Sequence, residues 1–81
     1  MYPKLIDAKH TINYKIWFKF DDGTEGEIDL EKQLYGKIFE PLKNITYFKS
    51  FKIHPELNVI SWDNGADFAP EYIYETIKRA A

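Results

Sequence analysis

The chain has 81 residues, with 11 basic and 13 acidic side chains interleaved to a net charge of −2, six Phe, six Tyr, two Trp and no cysteine. That length fits a single domain, 1–81, and the missing cysteines exclude disulfides, thiolate metal sites and a thiol nucleophile. Balanced charge argues against non-specific nucleic-acid binding, which needs many phosphate contacts.

No apolar run approaches the ~18 residues expected of a membrane span. Met1-Tyr2-Pro3-Lys4 has neither the charged region nor the apolar run of a signal peptide, so a cytoplasmic location is expected. Aromatic rings bury about 150–250 Å² each, which lets so short a chain build a core without staples.

Lys4 to Lys9 reads as a short first strand without clean alternation, so its inward face is open. From Ile12 to Phe20 the even positions Ile12, Tyr14, Ile16, Phe18 and Phe20 alternate with Asn13, Lys15, Trp17 and Lys19. A period of two marks a half-buried strand. Glu25, Glu27 and Asp29 then alternate with Gly26, Ile28 and Leu30. A two-residue loop between these strands would set Phe20 opposite Glu25 and mix the faces. A three-residue loop, Asp21-Asp22-Gly23, pairs Phe18 with Gly26, Ile16 with Ile28 and Tyr14 with Leu30. It also sets Lys19, Trp17 and Lys15 against Glu25, Glu27 and Asp29. Gly23 takes the left-handed position of a type I turn with a G1 bulge.

Glu31 to Tyr35 predicts one or two helical turns stopped at Gly36. Asn44 to Ser50 predicts another, with Asn44 as N-cap. Phe51 to Trp62 predicts a second hairpin through the loop Pro55–Asn58, with Ile53 opposite Ile60 and Phe51 opposite Trp62. Pro70 opens a final helix to about Arg79, with Glu71 near its start, Lys78 and Arg79 near its end, and Ile73 and Ile77 facing the sheet. The expected fold is α+β: a small antiparallel sheet of about four strands, formed by two hairpins and covered by short helices and a C-terminal helix.

Four groups of residues invite a chemical reading. Lys15, Trp17 and Lys19 could stack a base and hold phosphates, but in the derived register each lysine meets a carboxylate. The turn from Trp62 to Glu71 is dense in special residues. Its Asp63 and Asp67 lack the spacing of a calcium loop and read instead as backbone partners; the cap of the final helix stays open between Ala69, which directly precedes Pro70, and Asp67, the better capping side chain. His10 and His54 read as surface residues without zinc spacing, and Ser50 and Ser61 lack a nucleophile's context. No catalytic, cofactor or metal residues are expected, and no enzyme.

Three segments resemble a known family. They are Phe-x-Asp-Asp-Gly with Ile-Asp-Leu (Phe18 to Gly23, Ile28 to Leu30), Phe-Glu-Pro-Leu (Phe39 to Leu42), and Trp-Asp-Asn-Gly-Ala-Asp-Phe-Ala-Pro-Glu-Tyr-Ile-Tyr (Trp62 to Tyr74). Together they are similar to the small bacterial family catalogued as domain of unknown function 2442. The resemblance implies a compact α+β domain with no established activity and no catalytic residues to carry over. Some members add a helix-turn-helix segment, which this chain, ending at Ala81, is expected to lack. Members often neighbour a second small protein, a pattern that looks like a toxin–antitoxin pair.

The expected function is therefore a non-enzymatic protein-binding module, antitoxin-like or regulatory, in a two-protein system. Its partner would be another small protein, with a homodimer as a further option. The candidate contact residues are Trp17, Trp62, Asn64, Asp67 and Glu71. The alternative is a regulatory nucleic-acid-binding domain using the Lys15/Trp17/Lys19 face.

Overall fold

A computed structural model describes residues 2–80; Met1 and Ala81, the ends of the 1–81 span expected to form one domain, lie outside the described residues. Along the chain run β1 (Leu5–His10), β2 (Lys15–Phe20), β3 (Glu25–Asp29), 3-10 turns at Glu31–Gln33 and Glu40–Lys43, and α1 (Ile45–Phe48). After these come β4 (Lys52–Ile53), β5 (Ile60–Ser61), β6 (Asp67–Phe68) and α2 (Pro70–Ala80). The fold is α+β, as expected. The described residues hold six strands rather than about four, in two antiparallel sheets ordered β1-β2-β3 and β4-β5-β6.

The derived registers hold. Lys15, Ile16, Trp17, Phe18 and Lys19 pair with Asp29, Ile28, Glu27, Gly26 and Glu25, and Ile53 pairs with Ile60. Gly23 sits at φ +90° in the three-residue loop. Two details differ from the pattern. The β2 ladder starts at Lys15, because Asn13 takes a φ of +51° and turns the chain, which leaves Ile12 59% exposed in the β1–β2 turn. In β1 a bulge falls between Leu5 and Asp7, so Ile6 has no partner and points outward while Leu5 is buried. The bulge is why β1 shows no clean alternation.

Asn44 caps α1 as its position demands, its side chain accepting from the Tyr47 N–H at 3.2 Å. Glu31 to Gln33 makes only a 3-10 turn. The Asp29 carboxylate accepts from the Glu31 N–H at 3.0 Å, and Gly36 turns left-handed at φ +88°. Both sheets and α2 share one core. Phe18, Phe20, Ile16 and Leu5 from the first sheet, Ile60 and Phe68 from the second, and Ile73 and Ile77 from α2 are all buried in it.

The first hairpin loop is tied to α2. Asp22 accepts from the Thr24 N–H at 2.9 Å and from the Tyr74 hydroxyl at 2.8 Å. Foremost the Thr24 N–H, with help from Tyr74 and the Lys78 cation, holds the Asp22 carboxyl below its ordinary value of 3.8. A depressed pKa contributes stability that is present above the ordinary value and lost as pH falls through the lower folded one. Asp22→Asn keeps the loop acceptor and removes the titration. We expect the urea midpoint of the wild type to fall more steeply than that of Asp22→Asn between about pH 5 and about pH 3. Parallel midpoints across that range would refute the role given to Asp22.

Candidate functional site

The segment Trp62 to Glu71 proves to be mostly scaffold. Trp62 is 3% exposed, its ring packed among Phe48, Phe51 and Phe68. Its indole N–H donates to the Phe48 carbonyl at 2.8 Å, one of the carbonyls that the end of α1 leaves without a helical partner. A contact role for Trp62 is thereby corrected: the ring is core.

The loop after it repeats the first hairpin's geometry. Trp62 N–H bonds Ala66 O at 2.9 Å and Gly65 N–H bonds Trp62 O at 3.0 Å, just as Phe20 N–H bonds Thr24 O at 2.8 Å and Gly23 N–H bonds Phe20 O at 3.1 Å. Gly65 is left-handed at φ +92°. Asn64 Oδ1 accepts from the Ala66 N–H at 3.1 Å, the same bond that Asp22 makes to Thr24. Asp63-Asn64-Gly65 is therefore a hairpin loop joining β5 to β6, not a helix cap.

Asp67 correspondingly pairs with Ser61 in β6. At the start of α2 the Ala69 carbonyl accepts the first helical bond, from the Ile73 N–H at 3.2 Å. Glu71 is exposed on the first turn of α2, beside a shallow crevice shared with Tyr2, Lys4, Leu57 and Asn58.

Trp17 is half-buried rather than exposed. Its N–H donates to Glu25 at 3.3 Å, and the Lys9 ammonium lies 5.6 Å from its ring centroid. Lys15 and Lys19 do stand across the ladder from Asp29 and Glu25. Among the described residues, however, neither forms an ion pair, and the two that do form are Lys43–Glu40 and Lys52–Asp63. His10 is likewise not a plain surface residue: it is half-buried, bonds the Asn13 carbonyl at 2.7 Å and lies edge-on to Phe48. His54 is exposed, its Nδ1 accepting from the Glu56 and Leu57 N–H groups.

The five candidate residues thus do not converge on one site, but their neighbours do. Asn64 Nδ2 donates to the Ile38 carbonyl at 2.9 Å, which ties the Leu34–Phe39 loop to the β5–β6 hairpin. That tie builds a groove of about 290 Å³ lined by Gln33, Tyr35, Phe39, Phe68 and Tyr72. Phe39 and Phe68 are 5.1 Å apart, and Phe68 stacks on Tyr72 at 6.2 Å. Tyr35 stands on the rim, 70% exposed, and Ile38 nearby is also exposed.

Sequence reasoning missed this groove. Phe39, Phe68 and Tyr72 were visible inside the family-like segments, but nothing in their spacing shows that a side-chain bond from Asn64 would gather them. Ring faces, two phenol groups and one amide are equipped for apolar contact and stacking.

Taken together, fold and groove define a small α+β domain of two three-stranded antiparallel sheets with one aromatic-lined surface depression. The chain belongs to the family described as Protein of unknown function (DUF2442), which it matches over residues 5–79. No curated protein and no solved structure matches it. Among the described residues no helix is long and apolar enough to cross a membrane.

Proposed function

We propose that this domain is a non-enzymatic protein-binding module of the cytoplasm, the antitoxin-like or regulatory member of a two-protein system, and that the aromatic groove is its contact surface. The observation that carries the reading is Tyr35. A large ring 70% exposed at the rim of a groove walled by Phe39, Phe68 and Tyr72 gains by being covered. Tyrosine is among the residues that most often dominate interfaces, because it brings a large ring and a polar tip together.

The test is capture from a lysate of the source organism with wild-type, Tyr35→Ala and Trp17→Ala chains, read by mass spectrometry and then by titration of the captured protein. One small protein in stoichiometric amount is expected. Tyr35→Ala should weaken it at least about tenfold, with Trp17→Ala near wild type. An eluate of bait alone would overturn the reading, and a partner indifferent to Tyr35→Ala would remove the groove from it.

One observation favours the nucleic-acid alternative: Lys9 joins Lys15 and Lys19 around Trp17. Against it, Asp7, Glu25, Glu27 and Asp29 share the same ladder positions, and Glu25 already holds the indole N–H. Affinity for DNA that falls steeply with salt would support it.

A further inference from the structure

β3 is an outer strand, and the ladder fixes which of its backbone groups are spoken for. The bonds from Phe20 N–H to Thr24 O and from Leu30 N–H to Tyr14 O set the phase of the β2–β3 pairing. In an antiparallel ladder bonded and non-bonded pairs alternate. Gly26 and Ile28 therefore turn their N–H and C=O groups to β2, while Glu25, Glu27 and Asp29 turn theirs outward. Among the described residues no hydrogen bond reaches those outward groups. β1, the sheet's other outer strand, differs: it lies beside β4, and the Leu5 carbonyl accepts from the Asn58 amide at 3.3 Å.

A groove of about 460 Å³ runs along the β3 edge, with Thr76, Ile77 and Ala80 of α2 on its other side. An unpaired edge is a template for another strand, whose backbone supplies affinity and whose alternate side chains supply specificity.

The edge's side chains decide which strand fits. In a second copy paired antiparallel about Glu27, Glu27 would face Glu27 and Glu25 would face Asp29. Like charges directly opposite are destabilising, so self-pairing is disfavoured at every outward position. A basic strand meets the opposite situation, because Lys15 and Lys19 stand across the ladder from Asp29 and Glu25 but, among the described residues, form no ion pair with them. Glu25 and Asp29 each commit one oxygen, to Trp17 and to the Glu31 N–H, and each has a second oxygen. No hydrogen bond among the described residues engages Glu27.

We propose that the β3 edge receives an extended segment of a partner protein. The segment pairs antiparallel and places Lys or Arg at three alternate positions over Glu25, Glu27 and Asp29. Two small apolar residues between them turn toward Ile28 and Ile77. The inference rests on the protein-binding reading but uses a surface other than the aromatic groove. There α2 contributes Tyr72 from its first turns; here it contributes Thr76 to Ala80 from its last.

The probe is a capped synthetic peptide, Thr-Lys-Val-Lys-Ala-Lys-Thr, titrated into the full chain and followed by NMR and amide exchange. Without peptide, the Gly26 and Ile28 amides should be protected and those of Glu25, Glu27 and Asp29 exposed to exchange. Saturating peptide should slow exchange at these three amides alone. N-methylation at the lysine amides, which face β3, should abolish binding, while N-methylation at the Val and Ala amides should spare it. Glu27→Lys should weaken binding about fivefold to tenfold without moving the urea midpoint.

Binding that ignores both N-methylation patterns would be charge attraction alone and would overturn the proposal. So would an absence of binding at millimolar peptide. Shifts centred on Tyr35 and Phe39 instead would discard the edge and keep the protein-binding reading.

Discussion

Trp62→Ala is expected to abolish cooperative unfolding of this domain, or to move its urea midpoint close to zero. Truncating a buried Trp costs about 3–5 kcal/mol. Here the change also strips the Phe48 carbonyl of its donor, and leaving a buried acceptor unsatisfied costs roughly 1–3 kcal/mol more. Domains hold about 0.05–0.15 kcal/mol of stability per residue, so a chain of this length cannot absorb the sum comfortably. Trp62→Phe separates the two contributions. It keeps a ring against Phe48, Phe51 and Phe68 and loses only the N–H and some volume, so a cooperative transition should survive at a lower midpoint. Circular dichroism through a urea series reads both variants. If Trp62→Ala unfolds within about 1 kcal/mol of wild type, the ring is not where the structure puts it.

Gly26→Val is the second large effect, and its sign is a contest between two terms. Valine is the better strand residue, by up to about 1 kcal/mol in a host sheet. A Cβ at Gly26, however, would lie 3.0 Å from Ile77 Cγ2 and 3.3 Å from its Cγ1, and valine adds two methyl groups beyond that. Overpacking of this kind costs about 1–3 kcal/mol, so the steric term wins and the variant should be destabilised. The glycine is there for the close approach of α2 to β3, not for an unusual φ. Ile77→Ala should relieve the clash, making the double variant more stable than the two single losses predict. A double-mutant cycle by urea unfolding should return a coupling of about 1–2 kcal/mol. Additivity within about 0.5 kcal/mol would mean that Gly26 and Ile77 do not press on one another.

What could be read in the sequence, and what could not, follows from the length over which each signal is averaged. The β2–β3 register was legible because six residue pairs had to agree in character, and only one loop length let them. The β4–β5 register rested on fewer pairs but was pinned by Ile53 and Ile60. β6 was not legible. Two residues, Asp67 and Phe68, carry no periodicity, and Asp67 looks as much like a cap as like an outward strand residue. The pattern that could have found it was nonetheless on view, since Asp63-Asn64-Gly65 repeats the logic of Asp21-Asp22-Gly23. Ile12 was assigned to the strand by alternation alone, which cannot see Asn13 turning the chain. Trp17 and Trp62 are the opposite lesson. Composition treats both as surplus aromatic area, yet one is sealed in the core and the other is held on the sheet's outer face by Glu25 and Lys9.

The two matching loops differ at one atom pair, and that difference orders how the domain comes apart in acid. At the second loop position the first hairpin holds a carboxylate, Asp22, and the second an amide, Asn64. Protons can silence the first acceptor and leave the second untouched. Below the ordinary carboxylate value of 3.8, as pH falls through the lower folded one, the end that frays is therefore the one where β2, β3 and Tyr74 of α2 meet. The hairpin that ties down the aromatic groove keeps its fastening through Ile38. The same backbone turn, used twice, gives the chain one corner whose side-chain acceptor titrates and one whose side-chain acceptor does not, with the proposed contact surface on the second.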